Sequence, residues 1–153
     1  MNTQQSEIEV QRVSVFSLKD SSAIFLCCGE KTILIQTEAG FFEDSAKAMQ
    51  RKMNPRPQTH ELLAGIFRGF EISLEKILVC DVRDGIFFAK IFCAMKNELG
   101  EKRLEIDSRP SDAIMQSFFF RTKVFVAKNV FDTVEDATPL LKKIQEREAS
   151  KNA

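Results

Sequence analysis

Two apolar runs meet at Asp84-Gly85: Ile77–Val82 comes before the pair and Ile86–Met95 after it. A two-residue hairpin loop needs positive φ at its centre. Glycine adopts that conformation freely and aspartate tolerates it, so an Asp-Gly step between strand-like runs predicts a tight β-hairpin. Strands joined so closely pair antiparallel. A hairpin of this length cannot bury itself, so the rest of the chain has to supply further strands and covering helices.

The remaining pattern does so. Ile8–Phe16 alternates moderately (Ile8, Val10, Val13, Val15) and reads as a first strand. Ala23–Cys28 and Lys31–Gln36 flank Gly29-Glu30-Lys31 as a second hairpin. Arg103–Ile106, after a polar turn region over Lys96–Lys102, and Val124–Ala127 are shorter strands. Glu43–Lys52 changes to helical spacing and is stopped by Asn54-Pro55-Arg56-Pro57. Thr59 can cap a second helix with a stripe of Leu62, Leu63, Ile66, Phe67 and Phe70, and Pro110–Phe120 forms a third. Thr133–Ser150 is amphipathic, then highly charged, and is expected to fray toward Ala153. Hairpin strands punctuated by helices predict an α+β fold, with a mixed, largely antiparallel, curled sheet packed against three to four helices.

The chain has 153 residues, 44% hydrophobic and 29% charged, which suits one globular domain of about 100–150 residues. Lys+Arg and Asp+Glu both number 22. Any surface that meets nucleic-acid phosphates must therefore be local, and strong non-specific coating of DNA is disfavoured. Such a local signal runs from Lys47 to Arg56 through Arg51 and Lys52, with Lys47 and Arg51 spaced to share a helix face. The alternative is a solvated basic helix end, favoured by the dipole at its C-terminus.

Cys27, Cys28, Cys80 and Cys93 form no Cys-x-x-Cys pair and lie in apolar, strand-like runs, as buried free thiols in a reducing compartment do. Met1 to Glu9 shows no signal-peptide pattern and no run approaches the length of a membrane span. A soluble, cytoplasmic protein with no membrane contact is expected. There is no Trp or Tyr, and most of the 14 Phe fall on apolar stripes. Phe118-Phe119-Phe120 cannot all face one side of a helix, so core packing or a subunit interface is favoured over base stacking, and a homo-oligomer is admitted.

One internal echo carries most of the functional information. Arg56-Pro57-Gln58-Thr59-His60-Glu61-Leu62 opens one helix and Arg109-Pro110-Ser111-Asp112-Ala113-Ile114 opens another. Each proline biases its arginine toward extended backbone, and the helix start beyond supplies free N–H groups and a positive dipole end. An arginine placed there needs an anionic partner. A carboxylate such as Asp107 or Asp112 would make a brace; a bound phosphate held with Thr59 and Ser111 would make a site. The two alternatives are compatible.

These two segments resemble the motifs of the bifunctional nuclease (BFN) domain family. Pro55-Arg56-Pro57-Gln58-Thr59-His60-Glu61-Leu62-Leu63 is similar to that family's Pro-Arg-Pro-x-Thr-His-Asp-Leu, and Ile106-Asp107-Ser108-Arg109-Pro110-Ser111-Asp112-Ala113-Ile114 to its Ile-Asp-Ala-Arg-Pro-Ser-Asp-Ala. The similarity spans roughly residues 8–131, leaving 132–153 as a charged C-terminal helix. Glu61 departs from the family's Asp and Ser108 from its Ala. The resemblance implies a low-specificity nuclease acting on DNA, RNA or both.

Phosphodiester hydrolysis needs an activated water and charge stabilisation at phosphorus, which divalent metals held by carboxylates commonly supply. Glu61, Asp107 and Asp112 are the candidate ligands for Mg or Mn. Arg56 and Arg109 are candidates to offset phosphoryl charge, with Lys47 and Arg51 as further phosphate contacts. His60, the only histidine, is the candidate general acid or base beside Asp107, Arg109 and Asp112. Its structural alternative is a hydrogen bond to a neighbouring carboxylate. The rival function is a non-catalytic anion-binding or interaction module using the two Arg-Pro helix starts.

Overall fold

The computed structural model describes residues 6–153, so the expectation for Met1 to Glu9 falls partly outside the described residues. In chain order the strands are β1 (Glu7–Glu9), β2 (Arg12–Ser17), β3 (Ser22–Cys28), β4 (Lys31–Thr37), β5 (Ile72–Arg83), β6 (Ile86–Asn97), β7 (Gly100–Ser108) and β8 (Val124–Ala127). The helices are α1 (Phe41–Met49), α2 (Thr59–Gly69), α3 (Pro110–Phe120), α4 (Lys128–Thr133) and α5 (Thr138–Lys151). The α+β class holds, and the long β5–β6 hairpin turns at Asp84 and Gly85 with φ of 50° and 77°.

The strands form two sheets where one was expected. The larger has the order β1-β8-β5-β6-β7, antiparallel except where β5 runs parallel to β8; the smaller is the antiparallel meander β2-β3-β4. The expected strand over Ile8–Phe16 is divided between them. Val10 N–H donates to Val124 and Gln11 N–H to Cys27, so the chain changes sheet at this step. The sequence contains the cause: the apolar phase is even at Ile8 and Val10 but odd at Val13 and Val15. A one-residue slip turns every side chain to the other face, so one continuous strand could not bury both pairs.

Helix α3 lies at the centre, packed against α1, α2, β5 and β6. From Pro110 to Ser117 only Asp112 escapes burial. Its buried residues, polar and apolar alike, are spread round the helix, as suits one packed on several sides.

Several local expectations are corrected. Among the described residues five helices form where three to four were expected, because α4 makes a separate turn that buries Val130 ahead of α5. Thr59 is the first helical residue and not the cap of α2. Gln58 takes the cap position because Glu61, three residues on, accepts from its backbone N–H at 3.3 Å. The stripe on α2 is wider than its contact: Phe67 and Ala64 are buried, whereas Leu62, Ile66 and Phe70 stay exposed at 58%, 46% and 67%. Lys47 and Arg51 do not share a helix face, since α1 ends at Met49 and Arg51 lies beyond it with φ 56°.

The four cysteines are free thiols, as expected, but only Cys28 and Cys93 are buried, whereas Cys27 and Cys80 are half-buried. Burial, reinforced by neighbouring Cys27, pushes the Cys28 thiol up to about 11. No helix among the described residues is long and apolar enough to cross a membrane.

Two stability predictions follow from helix ends. Asp136 accepts from the Thr138 hydroxyl at 2.6 Å and from the backbone N–H groups of Thr32 at 2.9 Å and Thr138 at 3.0 Å, tying the start of α5 to β4. These bonds hold its carboxyl below the usual carboxylate range. A depressed folded-state pKa contributes stability above the unfolded value and loses it as pH falls through the folded one. Asp136→Ala should lower the melting temperature at neutral pH by about 2–4 °C, and the gap from the parent protein should close on acidification. Arg121 ends α3 with φ 52°, a left-handed conformation that glycine adopts without a Cβ penalty. Arg121→Gly should raise the melting temperature by about 2 °C in the same thermal scan.

Candidate active-site cleft

The two Arg-Pro segments reach one cleft from different directions. α2 brings Thr59, His60, Leu63 and Phe67, preceded by Gln58, while the end of β7 and the start of α3 bring Ile106, Asp107, Ser108, Arg109 and Asp112. The cleft has a volume of about 750 Å³. Glu38 and Asp44, from the end of β4 and the first turn of α1, complete its polar wall, and Ile91 and Gln116 contribute to its lining.

Arg109 occupies the N-cap position of α3 with extended backbone, φ −66° and ψ 144°, and Pro110 follows at the first helical position. Its side chain turns back onto Asp112, Nε to Oδ2 at 2.7 Å and Nη2 to Oδ1 at 3.1 Å. An Arg–Asp pair is therefore formed with Asp112 and not Asp107. It lies within the start of α3, whereas the expected brace would have pinned the two helix starts together. The Asp112 hydrogen bond and charge, with a further contribution from Glu38, raise the Arg109 pKa. Among the described residues, Glu38, Asp44 and Asp107 make no ion pair, so the cleft holds three carboxylates not committed to a cation.

His60 lies in the cleft wall, with its ring stacked on Phe119 at 5.8 Å between centroids and 24° between planes. This aromatic contact stands where a carboxylate partner was one expectation. The His60 carbonyl accepts from Gln116 Nε2 at 3.0 Å, a bond that fixes the first turn of α2 to the middle of α3.

The other expected site residues lie elsewhere. Glu61 faces a separate hollow of about 300 Å³ lined also by Arg51, Lys52, Arg68 and Phe119. Asn54 bridges Glu61 to Lys47: its amide donates to Glu61 Oε1, and its Oδ1 accepts from Lys47 at 2.9 Å. Ser111 is buried beside Pro110 and lines a second hollow of about 390 Å³, which shares Glu38 and Arg109 with the cleft. Arg56 is exposed and outside the cleft. The two arginines therefore do not form one anion clamp.

Sequence reasoning missed Glu38, Asp44, Gln58 and Gln116. Glu38 and Asp44 precede the recognised motifs and reach the cleft only through tertiary packing. Gln116 carried a usable signal: a lone amide in the buried run Ala113–Ser117 demands a partner.

No three His, Cys, Asp or Glu side chains among the described residues converge to hold a metal ion by themselves. The unpaired oxygens suit a hard cation that keeps water or substrate oxygens in its shell, as Mg²⁺ does with one or two carboxylates.

A family model described as "Bifunctional nuclease domain" matches residues 29–138, well over half of the chain. Two uncharacterized proteins of Mycobacterium tuberculosis, from strains CDC 1551 / Oshkosh and ATCC 25618 / H37Rv, are each 24% identical over 76 residues. Those residues cover 50% of this chain and 42% of each relative, so the chain spans less than half the length of either.

The Arg109–Asp112 pair is 68% and 48% exposed, which limits its energetic worth. In a double-mutant cycle by urea denaturation, Arg109→Ala and Asp112→Ala should couple by about 0.2–1 kcal/mol. A much larger coupling would make the brace a stabilising element of the fold.

Proposed function

Since this chain belongs to the bifunctional nuclease domain family, we propose that it hydrolyses phosphodiester bonds of DNA or RNA with low sequence specificity, assisted by a divalent cation. The observation that carries this reading is the convergence of both Arg-Pro segments on one cleft that holds His60, Arg109 and three unpaired carboxylates. Four carboxylates against one guanidinium leave the cleft acidic, so a phosphodiester enters it favourably only with a cation.

A site for Mg²⁺ or Mn²⁺ here would be completed by water and substrate oxygens, because no three such side chains among the described residues converge. Asp107, exposed at the end of β7, is the foremost ligand, with Glu38 and Asp44 as the other unpaired donors. Asp112 is already engaged by Arg109, and Glu61 lies outside this set. When bound, the cation would lower the pKa of a coordinated water and offset phosphoryl charge. His60 is positioned to exchange a proton at the cleft wall, held by its stack on Phe119 and by the Gln116 bond to its backbone. Arg109, restrained by Asp112, orients a phosphate oxygen. Cytoplasmic action, consistent with four free thiols, belongs to the same reading.

A second reading, a non-catalytic interaction module or homo-oligomer, is favoured by the exposed Leu62, Ile66 and Phe70 on α2. Its anion-binding form is disfavoured by the separation of Arg56 from Arg109.

The test is cleavage of labelled single- and double-stranded DNA and RNA by purified protein with Mg²⁺, Mn²⁺ or EDTA. EDTA should abolish cleavage, and folded His60→Ala should lose about 10²–10⁴ in rate. Asp107→Asn should lose activity that raised Mg²⁺ partly restores. Cleavage unchanged in both variants, or absent throughout, would remove the nuclease reading.

A further inference from the structure

We infer that the floor of the cleft seats a single unpaired nucleobase, with Gln116 Oε1 accepting a hydrogen bond from an N–H group on that base's edge. The inference rests on the nuclease reading for nucleic acid as the ligand class.

Gln116 is 1% exposed and lines the cleft. A backbone carbonyl can only accept, so the bond to His60 O requires the amide nitrogen on that side and turns Oε1 the other way. Oε1 is then buried without a hydrogen-bond partner. A buried acceptor of this kind is exceptional in a folded protein and calls for a donor. None is supplied by the described residues, and Gln116 lines the cleft, so a ligand seated there is the donor we infer.

The chemistry around it narrows the choice. Leu63, Phe67, Ile91 and Ile106 also line the cleft, and Phe67 and Ile91 are buried. Apolar walls of this kind accept the flat face of a heterocycle, and the orphaned acceptor reads its edge. A phosphodiester offers no donor and is unfavourable on an apolar surface. It belongs at the exposed side of the cleft, where Asp107 and Arg109 stand. Each common base carries an amino or imino N–H, so one acceptor selects for an accessible base without selecting which, in keeping with low sequence specificity. In a duplex the imino N–H and one N–H of each amino group are spent on the complementary strand. The other amino N–H lies in a groove, and the faces are covered by stacked neighbours. Unpaired nucleotides alone present both, which is how single strands are generally recognised. The cleft volume lies within the range of small-molecule sites, about 300–1,000 Å³, and admits one nucleotide unit.

The test is fluorescence anisotropy in Mg²⁺ with three labelled probes: a mixed-sequence single-stranded decanucleotide, its duplex, and an abasic strand with the same phosphates. Cleavage is read in parallel samples. The parent protein should bind the single strand at least about tenfold more tightly than the duplex or the abasic strand, the worth of one desolvated hydrogen bond with its apolar contact. Gln116→Met removes both the acceptor and the Nε2 bond to the His60 carbonyl, and it should narrow that preference by weakening the single strand more than the abasic strand. A purely structural role for Gln116 would weaken all three probes alike. If the variant does not fold, the comparison of probes on the parent protein still decides. Equal binding of all three by the parent, or binding of none, overturns the base seat. Cleavage indifferent to strandedness overturns it while leaving the nuclease reading intact. Selective single-strand binding without cleavage does the reverse.

Discussion

A helix covered on every side governs this architecture. Little that is polar on α3 can turn to water over most of its length, so its donors are answered from within the protein. Ser117 answers locally, donating to the Ile114 carbonyl at 2.6 Å. Gln116 answers across elements, and its bond to the His60 carbonyl sets where α2 starts relative to α3. The Arg-Pro start of α3 is the point at which the helix leaves the interior, so Arg109 and Asp112 emerge beside the segment that Gln116 has positioned. The cleft follows from how a buried helix is satisfied.

The zero net charge acquires a spatial meaning. Acidic groups gather around the cleft, whereas Arg51, Lys52 and Arg68 line a separate hollow with Glu61. The two fields are local and of opposite sign, so they cancel over distances beyond a Debye length, about 8 Å at physiological ionic strength. Association with a polyanion is then governed by cations in solution and by short-range fit more than by long-range steering.

How much was legible in the sequence depends on how far each signal had to travel. The Asp84-Gly85 hairpin and the limits of α3 are local, set by turn chemistry and Pro110, and were read as they stand. That the two motifs belong together was also legible, because both place an arginine and ionisable groups at a helix start. Their partners were not. Arg109 chose Asp112 over Asp107 through a three-residue reach that only the helical turn defines, and Glu61 was drawn away by capping α2 and by Asn54. The division of the first strand was present as a phase slip between Val10 and Val13 that a loose count of alternation passes over.

The placement of β8 has a consequence for the order of events in folding. This four-residue strand bonds antiparallel to β1, more than a hundred residues earlier, and parallel to β5 across the whole of β6, β7 and α3. Both pairings close long loops, whose entropic cost is met before any contact repays it. The β5–β6–β7 meander can form from neighbours, but its β5 edge stays open until β8 arrives. During synthesis the chain therefore passes through a stage with an unpaired edge of Ile77-Leu78-Val79, a template for pairing with other chains. Until the closing strand docks, that edge is a hazard for aggregation.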